Sequence, residues 1–284
     1  NPSETITNNA ILALSAGNAI VYNYHPGAKR VSVRALTLIN RAITDNGGPR
    51  NMLATVTTPT LETAHAIFTS PKIKLLVVTG GGGVVKDALK SGKRCLAAGP
   101  GNPPVIVDET ADIDRAGKKI VEGASLDNNI VCIAEKEIFA VESIADSLKA
   151  AMKKHGGYEL RQFELDKLLK TCLDDYHGPH GPRAHARRDS VGRDPHVLAK
   201  RIGLTIPEST RILFCDIGGN AQHPLVQTEQ LMPIIPLVRM PNFEAAMAAN
   251  DAAIAPSMIY AWAALQEGVP FANGAPNLTV DIPA

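Results

Sequence analysis

The sequence is poor in the features that announce a secreted, membrane-bound or nucleic-acid-binding protein. It has four cysteines in 284 residues, Cys95, Cys132, Cys172 and Cys215, spaced 37, 40 and 43 apart with no C-x-x-C pair. That pattern excludes a zinc knuckle or a disulfide framework and points to reduced thiols in a cytosol-like compartment. Hydrophobic residues make up 45% of the chain, yet no apolar run approaches the roughly 18 residues needed to span a bilayer, so the protein reads as soluble. The opening "NPSETITNNAILALSAGN" has no basic stretch ahead of its apolar residues and does not read as a secretory signal. With a formal net charge of +1, no global field draws the chain to nucleic acid or to an anionic membrane, and a small molecule is the expected partner. No internal repeat is visible.

What is present is alternation. Helical spacing in "ETITNNAILALSAGN", "AKRVSVRALTLINRAITDNGG" and "LETAHAIFTS" is interleaved with short apolar runs, "AIVYNY", "MLATVT", "IKLLVVTG" and "KRCLAA", then "PPVIVDE" and "ADIDRAGKKIVEGAS". Glycines close several of the helical stretches, as expected of a residue that takes a left-handed conformation without a Cβ clash. Continuous apolar strands separated by helices imply βαβ units and an open parallel sheet covered on both faces, so the fold class is α/β. "EIFAV", "RILFCDI" and "PIIPLVRM" predict strands of a second α/β lobe beginning near Cys132. Between them "DDYHGPHGPRAHARRDSVGRDP" reads as a long surface loop.

Four segments have the composition of functional sites. In "LLVVTGGGGVV" a strand runs into Gly80, Gly81, Gly82 and Gly83 and then a helix, which lets backbone N–H groups approach a phosphate or a nicotinamide ring. Val85 and Lys86 break G-x-G-x-x-G, and the Walker pattern is absent, so a flexible turn is an equal reading. "CLAAGPGNPPVIVDETADID" is a loop shaped by Pro103 and Pro104, or a rigid connector. "SLDNNIVCIAEKE" places Cys132 between a helix and a strand, where catalytic groups concentrate. Asn128 and Asn129 offer amide donors there, and Lys136 is placed to favour a thiolate; on residue chemistry alone an inert cysteine is still favoured over a nucleophile. His177, His180 and His185 lie in the Gly/Pro-rich tract without a convincing fourth ligand, so a solvated loop outweighs a zinc site.

Taken together, "NNAILALSAGNAIVYNYHPGAKR", "GPGNPPVIVDETADIDRAGKKIVEGASLDNNIVCIAEKE" and "HPLVQTEQLMPIIPLVRM" resemble the CoA-acylating aldehyde dehydrogenases of ethanolamine and propanediol degradation, a branch of the aldehyde dehydrogenase superfamily, from Asn1 to about residue 247. The resemblance implies a Rossmann-type cofactor domain over residues 1–130 and a catalytic domain over 131–247, both incomplete at the chain ends, with an atypical segment over 248–284. That last segment, "APSMIYAWAALQEGVPFANGAPNLTVDIPA", looks like a piece of a bacterial inositol-phosphate synthase. It also assigns roles. Cys132 falls on the nucleophile, and Asn1 on the asparagine that stabilises the oxyanion. Thr79 and Gly80–Gly83 fall on the loop near the cofactor, Pro26 on the loop approaching its adenosine, and Glu229 on the acid contacting the nicotinamide ribose. NAD as cofactor, coenzyme A as co-substrate, a short aliphatic aldehyde as substrate, homo-oligomers and a place in the cytoplasm or a bacterial microcompartment follow from the same resemblance. Where hydrolytic relatives carry a glutamate base the matching position is Ala98, which favours thiolysis over hydrolysis. A hydrolytic dehydrogenase and an inactive truncated or chimeric fragment are the competing expectations.

Overall fold

The computed structural model describes residues 2–98 and 101–250. Contacts divide the chain into two compact units, Asn1–Gly99 and Pro100–Ala284.

The first unit contains two βα layers. Helix α1 (Glu4–Ser15), strand β1 (Ile20–Tyr22), helix α2 (Lys29–Asp45) and strand β2 (Leu53–Thr55) form one, with β1 and β2 parallel and Ile20 opposite Leu53. Its core is Ile6, Ala10, Tyr24, Leu36 and Leu53. Asn40 fixes the helix to the strand: its Nδ2 donates to Leu53 O (2.7 Å) and its Oδ1 accepts from Leu53 N (3.1 Å). Helix α3 (Leu61–Thr69), strand β3 (Leu75–Thr79), helix α4 (Gly82–Lys90) and strand β4 (Arg94–Ala98) form the other, again parallel, around Phe68, Leu76, Val78 and Ala88. A reciprocal Thr60–Thr63 box caps the start of α3, and Thr63 Oγ1 donates to Asn23 Oδ1 at 2.7 Å.

The second unit is built on a five-stranded parallel sheet. In chain order it comprises β5 (Pro104–Val107), α5 (Ile113–Ala124), β6 (Glu137–Val141), α6 (Glu142–Lys154), β7 (Gly157–Glu159) and α7 (Gln162–Cys172). A two-residue antiparallel pair follows, β8 (Leu173–Asp174) and β9 (His185–Ala186), then α8 (Pro195–Lys200), β10 (Ile212–Asp216), β11 (Ile234–Met240) and α9 (Phe243–Asn250). The sheet order is β5-β6-β11-β10-β7. Every residue of β6 is buried, as a strand covered on both faces requires. Side chains alternate between two cores: Ile138, Ala140, Ile212 and Phe214 pack with α5 and α6, while Phe139, Leu213 and Cys215 pack with α7 and α8. Pro104 opens an edge strand, the position where a missing N–H costs no ladder bond.

The α/β class and parallel pairing agree with the sequence reading. The division does not fall at residue 130, because β5 pairs with β6, Val105 opposite Ile138, and so belongs to the second unit. The His/Gly/Pro tract is also less solvated than its composition suggests. Ala184 and Ser190 are fully buried, Thr228 Oγ1 donates to Ala184 O at 3.1 Å, and Asn220 Nδ2 donates to Pro179 O at 2.9 Å. Residues 251–284 of the atypical C-terminal segment lie outside the described residues. No helix among the described residues is long and apolar enough to cross a membrane.

Candidate active site

In the second unit the site grows out of the end of α5. Asp112 caps that helix by accepting from Arg115 N at 3.1 Å. At its other end Asp127, Asn128 and Asn129 take left-handed angles in succession, φ 49, 49 and 62. Asp and Asn are the non-glycine residues that adopt this region most readily, and here neighbours hold it in place. Asn128 Nδ2 donates to Gly192 O (3.1 Å) and Asp194 Oδ1 (2.7 Å). Asn129 is fully buried, and its Nδ2 donates to Ala124 O and Glu135 O, both at 2.8 Å. Both amides are therefore committed within the protein, Asn128 to residues 192–194 and Asn129 to its own turn, so the expectation that they offer free donors beside the cysteine is corrected.

Cys132 follows this turn and is exposed, whereas Cys95 is half-buried and Cys172 and Cys215 are buried. Burial, with Asp216 next to it, pushes the Cys215 thiol up to about 12, which makes it a core residue and not a nucleophile. A Cβ on Gly101 would stand 3.4 Å from Cys132 O, so the Gly101 loop runs alongside the cysteine.

Lys136 is fully buried, with Nζ donating to Asn129 O (2.8 Å) and Asn129 Oδ1 (2.6 Å). Burial pulls the ammonium down to about 8, while Glu229, Cys132 and Glu135, all within electrostatic reach, act in the opposite direction. The Glu229 carboxyl is pushed up by burial and drawn back by Lys136, by the Gly101 N–H and by Arg183. Cys132 and Glu229, nearly a hundred positions apart in the sequence, are thus both within electrostatic reach of one buried lysine.

Sequence reasoning missed the polar group behind this centre. Glu137 is fully buried and pushed up to about 9 by burial, against a 2.9 Å hydrogen bond from Asn102 Nδ2. Asn102 Nδ2 also donates to Val226 O (2.6 Å), and Gln230 Nε2 donates to Leu225 O (2.6 Å) and Lys136 O (3.2 Å). The available signal was "EKE" placed directly before the apolar "IFAV", charge at the mouth of a buried strand.

The remaining candidates lie in the first unit. Thr79 ends β3, Gly80 N donates to Ala98 O at 3.2 Å, and Gly82 opens α4. Among the described residues a Cβ at Gly80, Gly81, Gly82 or Gly83 would meet nothing within 4 Å, so no packing there accounts for these four glycines. The open backbone and the helix N-terminus beyond it suit a phosphate or a flat ring at close approach. Pro26 begins a 3-10 turn, Pro26–Ala28, closed by His25 Nδ1 accepting from Gly27 N at 3.2 Å. Pro26, Gly27, Lys29, Arg30 and Val31 line a shallow depression whose two cations fit an anionic nucleotide. Ala98 is exposed and carries no base beside the glycine loop. Asn1 lies outside the described residues. Among the described residues no three His, Cys, Asp or Glu side chains come together as a metal site requires.

Comparison with known proteins adds the lineage. Residues 1–161 match the aldehyde dehydrogenase family, and residues 225–284 match the myo-inositol-1-phosphate synthase model, which reaches further back than the expected break near residue 247. The acetylating acetaldehyde dehydrogenase EutE of Salmonella typhimurium is 47% identical over 249 residues, 87% of this chain and 52% of that protein. The CoA-propanoylating propanal dehydrogenase of the same organism is 41% identical over 249 residues, with the same shares. Among solved structures, Rhodopseudomonas palustris propionaldehyde dehydrogenase with bound propionyl-CoA superposes with a TM-score of 0.80 at 40% identity, covering 89% of this chain and 54% of that one. A propionaldehyde dehydrogenase from the fucose utilisation microcompartment of Clostridium phytofermentans gives 0.79 at 41%, covering 88% and 55%. The chain spans about half the length of the curated relatives it matches. With more than half its residues under the family model and these enzymes similar along most of its length, the chain belongs to the aldehyde dehydrogenase family.

Proposed function

We propose that this chain carries the nucleophile and the dinucleotide-approach loops of an NAD-dependent, CoA-acylating aldehyde dehydrogenase that converts a short aliphatic aldehyde to its acyl-CoA. The observation behind the proposal is that Cys132 is the exposed cysteine of the four and lies in the segment 129–136 that Lys136 closes onto Asn129. The relatives named as acetylating and CoA-propanoylating enzymes support the reaction class.

In this reading the Cys132 thiolate adds to the aldehyde carbonyl and forms a thiohemiacetal, whose oxyanion is held by the Cys132 backbone N–H. NAD, when bound, accepts the hydride that leaves the carbonyl carbon, and coenzyme A supplies the thiol that releases the acyl group. Thr79 and Gly80–Gly83 let the ring and phosphates approach the backbone, Pro26 with Lys29 and Arg30 receives the adenosine end, and Glu229 contacts the nicotinamide ribose. Ala98 leaves the thioester without an adjacent base to activate water, so a thiol intercepts it. A homo-oligomer and a place in the cytoplasm or a microcompartment lumen belong to the same proposal, in keeping with the microcompartment origin of one structural relative.

The test is NADH formation from acetaldehyde or propionaldehyde with and without coenzyme A. CoA-dependent turnover is expected. Cys132→Ser should lower it on the order of 10³-fold or more, as loss of a covalent nucleophile does, while Cys95→Ser leaves it in place. Equal loss in both variants, or turnover indifferent to CoA, would sink the reading.

A further inference from the structure

Two prolines leave the loop before β5 short of the donors that would fix it. Pro103 and Pro104 have no N–H, and the side chain of Asn102 takes over the anchoring. Its Nδ2 gives one hydrogen to Glu137 Oε2 (2.9 Å) at the start of β6 and the other to Val226 O (2.6 Å), 124 positions along the chain. On either side of Asn102 the same loop lies against the cysteine segment. Pro103 O accepts from Lys136 N at 2.9 Å, and a Cβ on Gly101 would stand 3.4 Å from Cys132 O.

A second amide repeats the tie. Gln230 is fully buried, and its Nε2 gives its two hydrogens to Leu225 O (2.6 Å) and Lys136 O (3.2 Å). Leu225 and Val226 belong to a turn folded around His223, whose Nδ1 accepts from Leu225 N (3.0 Å) and whose carbonyl accepts from Val226 N (2.9 Å). Two amides thus bind the same two stretches, 136–137 and 225–226, and Asn102 adds the loop 101–103 as a third. Asn102 Oδ1, Glu137 Oε1 and Gln230 Oε1 are buried with no hydrogen-bond partner among the described residues. Apolar side chains would fill the space without that cost. What hydrogen bonds add is direction, because apolar contact lets packed segments slide and a donor aimed at one oxygen does not.

We propose that Asn102 is a positioning residue for the site built on Cys132: with Gln230 it clasps the loop 101–103, the segment that carries Cys132 and the segment that carries Glu229 in one register. The proposal rests on the reading of Cys132 as the nucleophile and adds the group that sets its place beside the neighbouring loop.

Two measurements on the full chain test it. The first is hydrogen exchange read by mass spectrometry, which needs no aldehyde, NAD or CoA. In Asn102→Ala, exchange in peptides 129–136 and 223–231 should rise together by about tenfold, as expected when local opening loses one or two hydrogen bonds, while β10 keeps its rates. Gln230→Leu should open the same two peptides, and it reports even if Asn102→Ala does not fold. The second is CoA-dependent NADH formation from propionaldehyde per folded molecule. Asn102→Ala should lower kcat about a hundredfold, what a misplacement of about 1 Å costs, with the aldehyde KM within about threefold. Unchanged exchange in both peptides, or a rise spread evenly over the second unit, overturns the proposal. So does raised exchange with an unaltered kcat, which a merely structural tie would give. A wild-type chain without CoA-dependent turnover would instead sink the dehydrogenase reading, and the exchange rates would still decide whether the clasp exists.

Discussion

The sharpest physical test of the second unit is the ionisation of Glu137. This residue opens β6 with its side chain wholly buried, and one carboxylate oxygen, Oε1, has no hydrogen-bond partner among the described residues. Burial raises it from its ordinary 4.5 to about 9, against the Asn102 hydrogen bond. The folded chain therefore keeps a proton that the unfolded chain has released anywhere between those two values. Stability from this group is full below about 4.5 and is lost as pH rises toward about 9. One pKa unit corresponds to roughly 1.4 kcal/mol, so near pH 7 the accumulated cost is about 3 kcal/mol. Glu137→Gln keeps the shape and removes the ionisation. Urea unfolding of both proteins, followed by circular dichroism from about pH 5 to 9, should show a difference near zero at the acid end that grows in favour of the variant to a few kcal/mol, with unchanged m. Lys136, pulled down to about 8 from 10.5, gives the opposite slope between those two values, since there the unfolded chain binds the extra proton; it acts on both proteins and cancels in the difference. A pH-independent gap, or a variant that loses ground as pH rises, refutes the argument.

Two further outcomes follow from the glycines. Gly117 lies where α5 meets α6, and a Cβ there would stand 2.6 Å from Ala151 Cβ and 3.0 Å from the Ala151 backbone carbon; Gly117→Ala should lower the Tm, overpacking of about 1–3 kcal/mol outweighing a helix-propensity gain of about 1 kcal/mol, and a raised Tm contradicts this packing. Gly82→Val meets open space, so its melting curve should barely move while KM for NAD rises about tenfold, as expected of a site where backbone must come close to a ligand; an unchanged KM removes the glycine loop from the cofactor site.

The strands were legible where the apolar run is continuous in sequence. "LLVVT" and "EIFAV" are five-residue apolar or nearly apolar runs bounded by glycine or charge, and both are strands with those bounds. Gly157–Glu159 was not legible, because a three-residue edge strand beside β10 has no run to read. The unit boundary was misplaced for a related reason: the helix-to-strand change at Cys132 is a local signal, while the pairing of Val105 with Ile138 that overrides it is not. At the site, the family resemblance singled out Cys132 and Glu229, but nothing local distinguishes an exposed cysteine from three that are wholly or partly covered, or an amide that faces a ligand from one that ties down its own turn.

The adjacent charges Lys136 and Glu137 were the hardest to read. Side by side in sequence they suggest a solvated ion pair, since lysine and glutamate are seldom fully buried. Successive residues entering a strand point to opposite faces. Lys136 accordingly reaches back to Asn129 beside the cysteine loop, whereas Glu137 reaches Asn102. Neither is among the groups that perturb the other, so each is buried without the other's charge to offset it. The ammonium is drawn toward neutrality from above and the carboxyl from below, and the strand's alternation, not the composition of "EKE", leaves a buried lysine bonded to the turn before Cys132 and a buried acid bonded to Asn102.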